Sequence, residues 1–528
     1  MLVSIFNDVI GPIMRGPSSS HCAAALRIGR LARDLMDEAI AEVLIEFDVN
    51  GSLPTTHDTQ GSDMGLFGGL LGWDAADERL PDSMETFVQT GAKIRFKTVN
   101  SGDPHPNTYR LTLKNDIETH TIIAISTGGG MIEVINIDGI EVSIFGDYYV
   151  TLVWVKGDAE SVSASMQSLS LCDEIVVHQG VNSALIELRS QAKLPPCEID
   201  ELNDNHAIVG IKQLSPVLPV MSRPTTVVPF ASCADLLKVD AGRDIPLWKH
   251  AVAYESARGG INEESVILKM VEIVRVLRKS IAIGITGTTY EDRVLGYQSG
   301  NFKKLMDSGD LLNAGALNRI ILYVTALMEV KSSMGVIVAM PTAGACAALP
   351  GAVIAMAEEM GLDERDIAQA LLASGLIGVF IATAWTFAAE VGGCQAEGGS
   401  AAAMAAAALV TLAGGTLEHS LTAASMALQS MIGLICDPIA NRVEAPCLGK
   451  NVMAAANALS CANMALAGFD QVIPLDEVIE TAKRVSAQMP RELRCTSLGG
   501  LSITPTSLAI EKKLALKRSC GSGGCGCK

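Results

Sequence analysis

The chain has 528 residues, a formal net charge of −18 and 49% hydrophobic residues, whereas aromatic residues make up only 4%. This length exceeds that of a usual domain, so several domains are expected. The negative charge argues against a nucleic-acid surface, because phosphate contacts need clustered Lys and Arg. The abundance of Ala and Gly is typical of closely packed helices with small side chains.

The N-terminal sequence MLVSIFNDVIGP has no basic region and carries Asp8, so it does not predict a secretory signal. We therefore expect a cytoplasmic protein whose 13 cysteines stay reduced. In that compartment several cysteines indicate metal binding or catalysis more often than disulfides.

Two charge-free runs, 332–357 and 367–389, are long enough to span a bilayer, which takes ~20 apolar residues. Both are rich in Ala, Gly, Ser and Thr, and the first contains Pro341 and Pro350. Neither is flanked by aromatic belts or a basic-loop bias. They predict buried helices of a soluble protein, and membrane spans are the less favoured alternative.

The predicted elements indicate an α+β multidomain protein. Residues 1–145 are predicted to form an α/β domain with a helix at 23–41 and strands at 43–50, 93–99, 108–113 and 121–126. The order of elements in 146–222 is βαββαβ, the ferredoxin-like pattern, with a hairpin around 180–182. We expect residues 223–510 to form a large all-α domain and 511–528 to form a flexible Cys/Gly-rich tail.

Four cysteines of the helical half stand beside Gly and Pro in loop-like sequences: Cys346, Cys394, Cys436 and Cys447. Loop cysteines can turn their sulfurs toward one point, and thiolates are the ligands of iron–sulfur clusters. The alternative is that they are ordinary buried cysteines, since no compact CxxC motif is present. A set of three would leave one iron of a four-iron cluster open as a Lewis acid.

A second polar cluster, RGPSSSHC, precedes the first predicted helix. The hydroxyls of Ser18, Ser19 and Ser20 and the free N–H groups of a helix N-terminus suit a carboxylate. His21 could act as an acid or base near neutral pH. The alternative is a plain helix cap with a structural histidine.

These motifs together resemble those of the bacterial iron–sulfur-dependent L-serine dehydratases (L-serine ammonia-lyases). The resemblance rests on GPSSSHCAAALRIGRLARDL, HPNTYRLTL, STGGGMIEV, PTAGACAALPG, GCQAEGGSAAAMAAAALVTLAGGT, GLICDPIANRVEAPC, NVMAAANAL and LGGLSITPT. It covers the chain to about residue 510. It implies a β-type domain (1–145), an ACT-type regulatory module (146–222) and an α-type catalytic domain (223–510) fused in one chain.

The resemblance also implies a [4Fe-4S] cluster held by Cys394, Cys436 and Cys447, with 41 and ten residues between them. Cys346 is not a cluster ligand in the family. In some members a cysteine near the C-terminus binds the open iron. Cys527 is the candidate for this fourth ligand here, and Cys520 and Cys525 are weaker ones.

The implied reaction is the dehydration and deamination of a small β-hydroxy amino acid, with L-serine giving pyruvate and ammonia. Ser18, Ser19 and Ser20 would hold the substrate carboxylate, and His21 would orient substrate or relay a proton. Arg494 would add positive charge, although a surface ion pair is an equal alternative.

Several residues depart from the family pattern. Gln60 stands where a histidine is expected, and glutamine cannot act as a base. His57 is a substitute only if the loop is rebuilt, and Asp63 is retained. Cys22 replaces a threonine, Cys495 replaces a glutamate, and residues 50–52 read Asn-Gly-Ser instead of His-Gly-Ser.

These departures keep two alternatives open. One is an iron–sulfur lyase acting on another hydroxy acid or a β-substituted amino acid, and the other is a non-catalytic iron–sulfur sensor. ACT-type modules bind small amino acids at paired interfaces, which implies a homodimer or higher homo-oligomer. A purely structural connector is the alternative for 146–222. Nucleic-acid and membrane partners are not expected.

Overall fold

The computed structural model describes residues 2–169, 172–181, 183–224 and 226–521. They form two compact units. Unit 1 comprises chiefly Ser20–His57 and Ser62–Thr226. Unit 2 comprises Val3–Ser19, Asp58–Gly61 and the chain from Val227 onward.

The strands, in chain order, are β1 (Ile13–Met14), β2 (Glu42–Asp48), β3 (Lys93–Val99), β4 (Thr108–Lys114), β5 (Thr119–Gly128), β6 (Met131–Ile137), β7 (Ile140–Ile144), β8 (Tyr149–Val155), β9 (Cys172–Gln179), β10 (Ala184–Ser190), β11 (Ile208–Leu214) and β12 (Ile337–Val338). The α-helices are α1 (Ala24–Leu35), α2 (Leu53–Thr56), α3 (Ser62–Leu70), α4 (Ser83–Gln89), α5 (Ala159–Ser165), α6 (Pro196–Asn203), α7 (Cys233–Asp240), α8 (Leu247–Gly259), α9 (Glu263–Thr286), α10 (Ser299–Ser308), α11 (Ala316–Ser332), α12 (Ala348–Met360), α13 (Glu364–Ala384), α14 (Ala389–Gly392), α15 (Ser400–Leu412), α16 (Leu417–Gln429), α17 (Cys447–Leu466), α18 (Leu475–Gln488) and α19 (Pro505–Gly521).

A six-stranded sheet of order β3-β2-β4-β5-β6-β7 forms the first part of unit 1. Strands β2 and β3 are parallel, and the other neighbours are antiparallel. The alternating pattern of β4, in which Tyr109, Leu111 and Leu113 are buried, places one face of the sheet in the core. The four predicted strands of this region are present, and β6 and β7 extend the sheet beyond them.

Helices α1 and α3 pack against each other through backbone contacts on glycines. A methyl group at Gly69 would lie 2.1 Å from Leu26 O, and one at Gly65 would lie 2.0 Å from Cys22 O. Only glycine, which has no Cβ, permits this short distance between the two helices. The glycines therefore set the position of the helix that follows the serine-rich segment.

A four-stranded antiparallel sheet of order β11-β8-β10-β9 forms the second part of unit 1. Its elements follow in the chain as β8, α5, β9, β10, α6 and β11. Residues of β8 and β11 also belong to the core of the six-stranded sheet, among them Leu152 and Leu214. One face of the four-stranded sheet thus contributes to the core of the six-stranded sheet, and residues such as Val153 and Ile186 form a second core cluster.

Unit 2 is mainly helical, with α15 at its centre. Helix α15 packs against α12, α13, α16 and α17, and its alanines let these helices approach closely. Helix α13 is long and apolar enough to cross a membrane, but 78% of its most apolar window is buried inside the protein. The other charge-free run, 332–357, is divided by β12 and a loop before α12, so it forms no continuous helix.

The segment Val3–Ser19 is an integral part of unit 2. Strand β1 pairs with β12, and Gly11 N donates to Ala339 O. Ser4 Oγ donates to the buried carboxylate of Glu255 at 2.5 Å. The helical core of unit 2 is therefore completed by the N-terminal end of the chain.

Candidate functional site

Cys394 and Cys436 meet because their loops are hydrogen-bonded to each other. Cys394 directly precedes a π-helical turn, Gln395–Gly399, and Gln395 N donates to Leu434 O at 2.9 Å. Gln395 Oε1 in turn accepts from Gly433 N at 2.9 Å. Both cysteines are 5% exposed, and Leu434 packs against them. The sequence-predicted pair is thus brought together in one buried place.

The side chain of Glu397 lies beside these two cysteines. One ligand atom from each of Cys394, Glu397 and Cys436 lies within 4.8 Å of the other two, which is a group that could hold a metal ion. Thr342 Oγ1 donates to Glu397 Oε1 at 2.6 Å. Burial raises the pKa of Glu397, and the Thr342 hydrogen bond and the charges of Lys331 and Lys450 only partly offset this.

Cys447 begins α17 and is buried beside the same group. Burial is the main cause that raises the pKa of the Cys447 thiol, to about 12. The neighbouring charges of Cys394 and Glu397 contribute to this rise. Asn451, one turn later, donates to Cys447 O at 2.9 Å and to Gly344 O at 2.8 Å. The start of α17 is thereby fixed against the loop that follows β12.

Two lysines supply positive charge near the cysteines. Lys450 Nζ lies 3.7 Å from Cys394 Sγ and donates to Asp437 Oδ1 at 2.7 Å. Burial alone would lower the pKa of Lys450, but Cys394 and Asp437 raise it overall. Lys331 is fully buried, donates to Val443 O and lowers the pKa of Cys447 by its charge. Such cations stabilise thiolates and bound anions.

A further cysteine, Cys495, belongs to the same cluster. It packs with Ala389, Cys394 and Cys436, and a side-chain hydrogen bond joins its sulfur to that of Cys436. The bonds to Cys394 and Cys495, with burial, raise the pKa of Cys436 well above its usual value. The hydrogen bond lowers the pKa of Cys495, but burial and the charges of Glu390 and Glu397 raise it overall.

Gln60 contacts Cys495. Its side-chain amide lies 3.6 Å from Cys495 Sγ and donates to Asn441 Oδ1 at 3.0 Å. Ser497 Oγ donates to the same Asn441 oxygen at 2.6 Å. Two positions that depart from the family pattern, 435 residues apart in the chain, are therefore neighbours here.

The predicted serines occupy buried positions. Ser18 and Ser19 belong to unit 2, where Ser19 Oγ accepts from Ala343 N at 3.2 Å. Ala343 follows Thr342, the partner of Glu397, so Ser19 and Glu397 contact adjacent residues of one loop. Ser20 belongs to unit 1 and is also buried.

The predicted histidines lie in unit 1. His21 is fully buried and its Nε2 is 2.9 Å from Thr56 Oγ1. Burial and the neighbouring His57 lower the pKa of His21 to about 3, so the ring is neutral at pH 7. His57 Nδ1 is 2.8 Å from the carboxylate of Asp63, and its ring stacks on Phe96 at 5.2 Å.

The remaining predicted residues are placed differently. Arg494 donates to the carbonyl oxygens of Ser486 and Met489, so its guanidinium caps the end of α18. Cys525 and Cys527 lie outside the described residues, and of Cys520 only the backbone position in α19 is described. Cys346 is buried in the loop before α12, where burial raises its pKa to about 11.

Sequence reasoning did not single out Glu397, Lys331 and Lys450. Glu397 follows Cys394 by three residues within GCQAEGG, and Lys450 follows Cys447 by three. That i, i+3 spacing is a signal for side chains on the same helical face. Lys331 carried no such signal, because only the packing of α11 against α17 brings it there.

Comparison with known proteins reveals extended similarity. The family described as "Serine dehydratase alpha chain" matches residues 242–502. A probable L-serine dehydratase alpha chain of Bacillus subtilis is 35% identical over 54% of this chain and 95% of its own length. The probable beta chain of the same organism is 32% identical over 41% of this chain and 96% of its own length. An L-serine dehydratase of Streptomyces coelicolor is 29% identical over 95% of this chain and 99% of its own length.

Proposed function

Because the chain belongs to the L-serine dehydratase family, with fused beta and alpha parts, we propose that it is a lyase that converts L-serine into pyruvate and ammonia. The observation that carries this proposal is the buried group of Cys394, Cys436 and Cys447 with Glu397 and Lys450. Thiolates that share one pocket with a cation and a carboxylate suit a metal-dependent elimination better than a passive core.

The donor set fits a [4Fe-4S] cluster. The three cysteines lie buried in one region. Burial and neighbouring groups raise the pKa values of the Cys436 and Cys447 thiols, and a bound metal would displace their protons. Lys450 beside Cys394 offsets part of the negative charge of the bound thiolates. When bound, the cluster would supply a Lewis acid for the leaving hydroxyl group.

The residues around the cysteines have distinct tasks in this proposal. Ser18 and Ser19 would bind the substrate carboxylate, and Lys331 would add positive charge from within the core. Glu397, whose pKa is raised by burial, would be the candidate to exchange a proton with substrate. His21, with a pKa of about 3, is a weak base and would orient groups by its hydrogen bond to Thr56.

The substitution Cys436→Ala tests whether the three cysteines hold a cluster that is needed for activity. We expect protein purified without oxygen to contain iron and sulfide and to release a 2-oxo acid from L-serine. Cys436→Ala should lose both the cluster and at least about 100-fold in activity, since a ligand is removed. Cys461→Ala, at a buried cysteine of α17, is the matched control and should retain both.

Two results would contradict this proposal. A cluster retained in Cys436→Ala would refute the ligand assignment. Cluster-loaded wild-type protein that turns over neither L-serine, L-threonine nor any of a panel of hydroxy acids would refute the lyase assignment and favour an iron–sulfur sensor.

A second candidate is the same chemistry on another hydroxy acid or a β-substituted amino acid. The contact between Gln60 and Cys495 favours it, because both residues depart from the family pattern beside the cysteines. In the same substrate panel, a higher kcat/KM for such a compound than for L-serine would establish this specificity.

We also propose that 146–222 is an ACT-type regulatory module of a cytoplasmic homo-oligomer. The antiparallel sheet β11-β8-β10-β9 with α5 and α6 supports this, since ferredoxin-like modules have this order of elements. Sedimentation of the full-length protein as a monomer, with and without small amino acids, would contradict the proposal.

A further inference from the structure

The loop that carries Cys495 is held on both sides by backbone hydrogen bonds. Leu493 O accepts from Cys436 N at 2.9 Å, and Cys495 N donates to Ala389 O at 3.3 Å. Arg494 ties the same loop to the end of α18 through Ser486 O and Met489 O. The position of Cys495 beside Cys436 is therefore built into the fold of unit 2.

The surroundings of the Cys495 sulfur resemble those of Cys394 and Cys436. All three side chains are 4–5% exposed and form one cluster with Ala389. The sulfur of Cys495 shares a side-chain hydrogen bond with Cys436, and the Gln60 amide lies 3.6 Å from it on another side. A buried cysteine that serves only as a small hydrophobe is expected to pack against apolar atoms. The Cys495 sulfur instead also contacts a second sulfur and an amide group.

We propose that Cys495 is a fourth thiolate ligand of the metal centre formed by Cys394, Cys436 and Cys447. This inference rests on the proposed cluster. On binding, the Cys495 thiol would release its proton and exchange its hydrogen bond with Cys436 for a bond to iron. The Gln60 amide would then donate to the bound thiolate, and hydrogen bonds to cluster sulfurs tune the reduction potentials of such clusters.

Four internal cysteines would complete the coordination of a [4Fe-4S] cluster in the resting protein. The C-terminal tail would then not be required to cap the open iron. Substrate would have to displace Cys495 from that iron in order to bind there. Cys495 is thus a candidate for controlling access to the reactive iron.

Iron retention under mild oxidation tests the proposal. An iron without a protein thiolate is lost more readily than one held by cysteine, which converts a four-iron cluster into a paramagnetic three-iron cluster. We expect wild-type protein to keep about four iron atoms per chain after ferricyanide treatment. Cys495→Ser and Cys495→Ala should fall to about three iron atoms and show the three-iron signal by electron paramagnetic resonance.

Four controls isolate the role of Cys495. Cys461→Ala should behave as wild type, and so should a chain truncated after Lys517, which lacks Cys520, Cys525 and Cys527. Cys495→Ser preserves side-chain volume, and its circular dichroism and thermal midpoint before cluster loading report whether it folds. Cys436→Ala should hold no cluster at all.

The proposal is overturned if Cys495→Ala, which has no ligand atom, keeps its fourth iron as well as wild type does. It is equally overturned if only the truncated chain yields the three-iron signal. These outcomes differ from failure of the proposed function, in which Cys436→Ala would retain its cluster or loaded wild-type protein would show no turnover.

Discussion

At the scale of single residues, burial decides what a motif can do. The sequence SSSH suggests an acid–base histidine, yet His21 is fully buried against Thr56 and its pKa is lowered to about 3. Desolvation disfavours the imidazolium, so the ring stays neutral over the physiological range. The same burial makes His21 a source of pH-dependent stability.

His21→Asn should reduce the acid sensitivity of the protein. The unfolded chain takes up a proton at His21 near pH 6.5, whereas the folded chain does so only near pH 3. The stabilising contribution is therefore complete above pH 6.5 and is lost progressively as the pH falls toward 3. At pH 5 the loss of unfolding free energy from this histidine amounts to about 2 kcal/mol.

Urea unfolding at pH 7.5 and pH 5 measures this effect. The loss of unfolding free energy between the two pH values should be about 2 kcal/mol smaller in His21→Asn than in wild type. His206→Asn provides the control at an exposed histidine. An identical pH dependence in wild type and His21→Asn would contradict the buried neutral histidine.

Also at this scale, the structure shows that the two unusual residues Gln60 and Cys495 contact each other. Each is visible in the sequence as a departure from a family pattern. Their contact at 3.6 Å depends on the loop at 58–61 and the loop after α18 meeting in unit 2. No local sequence signal joins positions 435 residues apart.

At the scale of elements, glycines determine how closely helices pack. Gly29, Gly65 and Gly69 bring the backbones of α1 and α3 together, because each would place a methyl group within 2.4 Å of a carbonyl oxygen. The helical period of α1 is evident from the sequence. The identity of its partner is not, since the short, glycine-rich α3 has almost no amphipathic pattern.

Gly69→Ala should destabilise unit 1. Alanine favours a helix by about 1 kcal/mol over glycine, but its methyl group would lie 2.1 Å from Leu26 O, where only backbone movement gives relief. We expect a net loss of about 1–3 kcal/mol in unfolding free energy, measured by urea denaturation. Gly210→Ala in β11, whose methyl group meets only Trp154 at 3.8 Å, should change little. Equal stability of the two variants would show that α1 and α3 can move apart freely.

At the scale of the whole molecule, the units do not follow the order of the chain. Residues Val3–Ser19 belong to unit 2, although the rest of that unit lies almost entirely after residue 226. Ser4 and Ile5 bind the buried carboxylate of Glu255, and Val9 fills the space above Gly378 in α13. Removing this segment would leave a buried charge without its partners and a groove on an apolar helix.

The fragment 227–528 should therefore be unstable when produced alone. We expect aggregation or a thermal midpoint at least several degrees below that of the full chain, measured by light scattering and circular dichroism. Co-expression with fragment 1–226 should restore soluble protein, and co-expression with a 20–226 fragment is the matched control that should not. A soluble 227–528 fragment with the midpoint of the full chain would contradict this role of the N-terminal segment.

The sequence by itself determined the family, the α+β class, most strands of the first sheet and the cysteines that meet. Periodicity and motif spacing are local properties, and they can be recognised without knowledge of the packing. Only the tertiary structure decided that Glu397, Lys331, Lys450 and Cys495 join those cysteines, that His21 is neutral, and that Val3–Ser19 completes the helical unit. Each of these depends on burial and on contacts between distant segments, which set charge, protonation and ligand geometry only once the chain has folded.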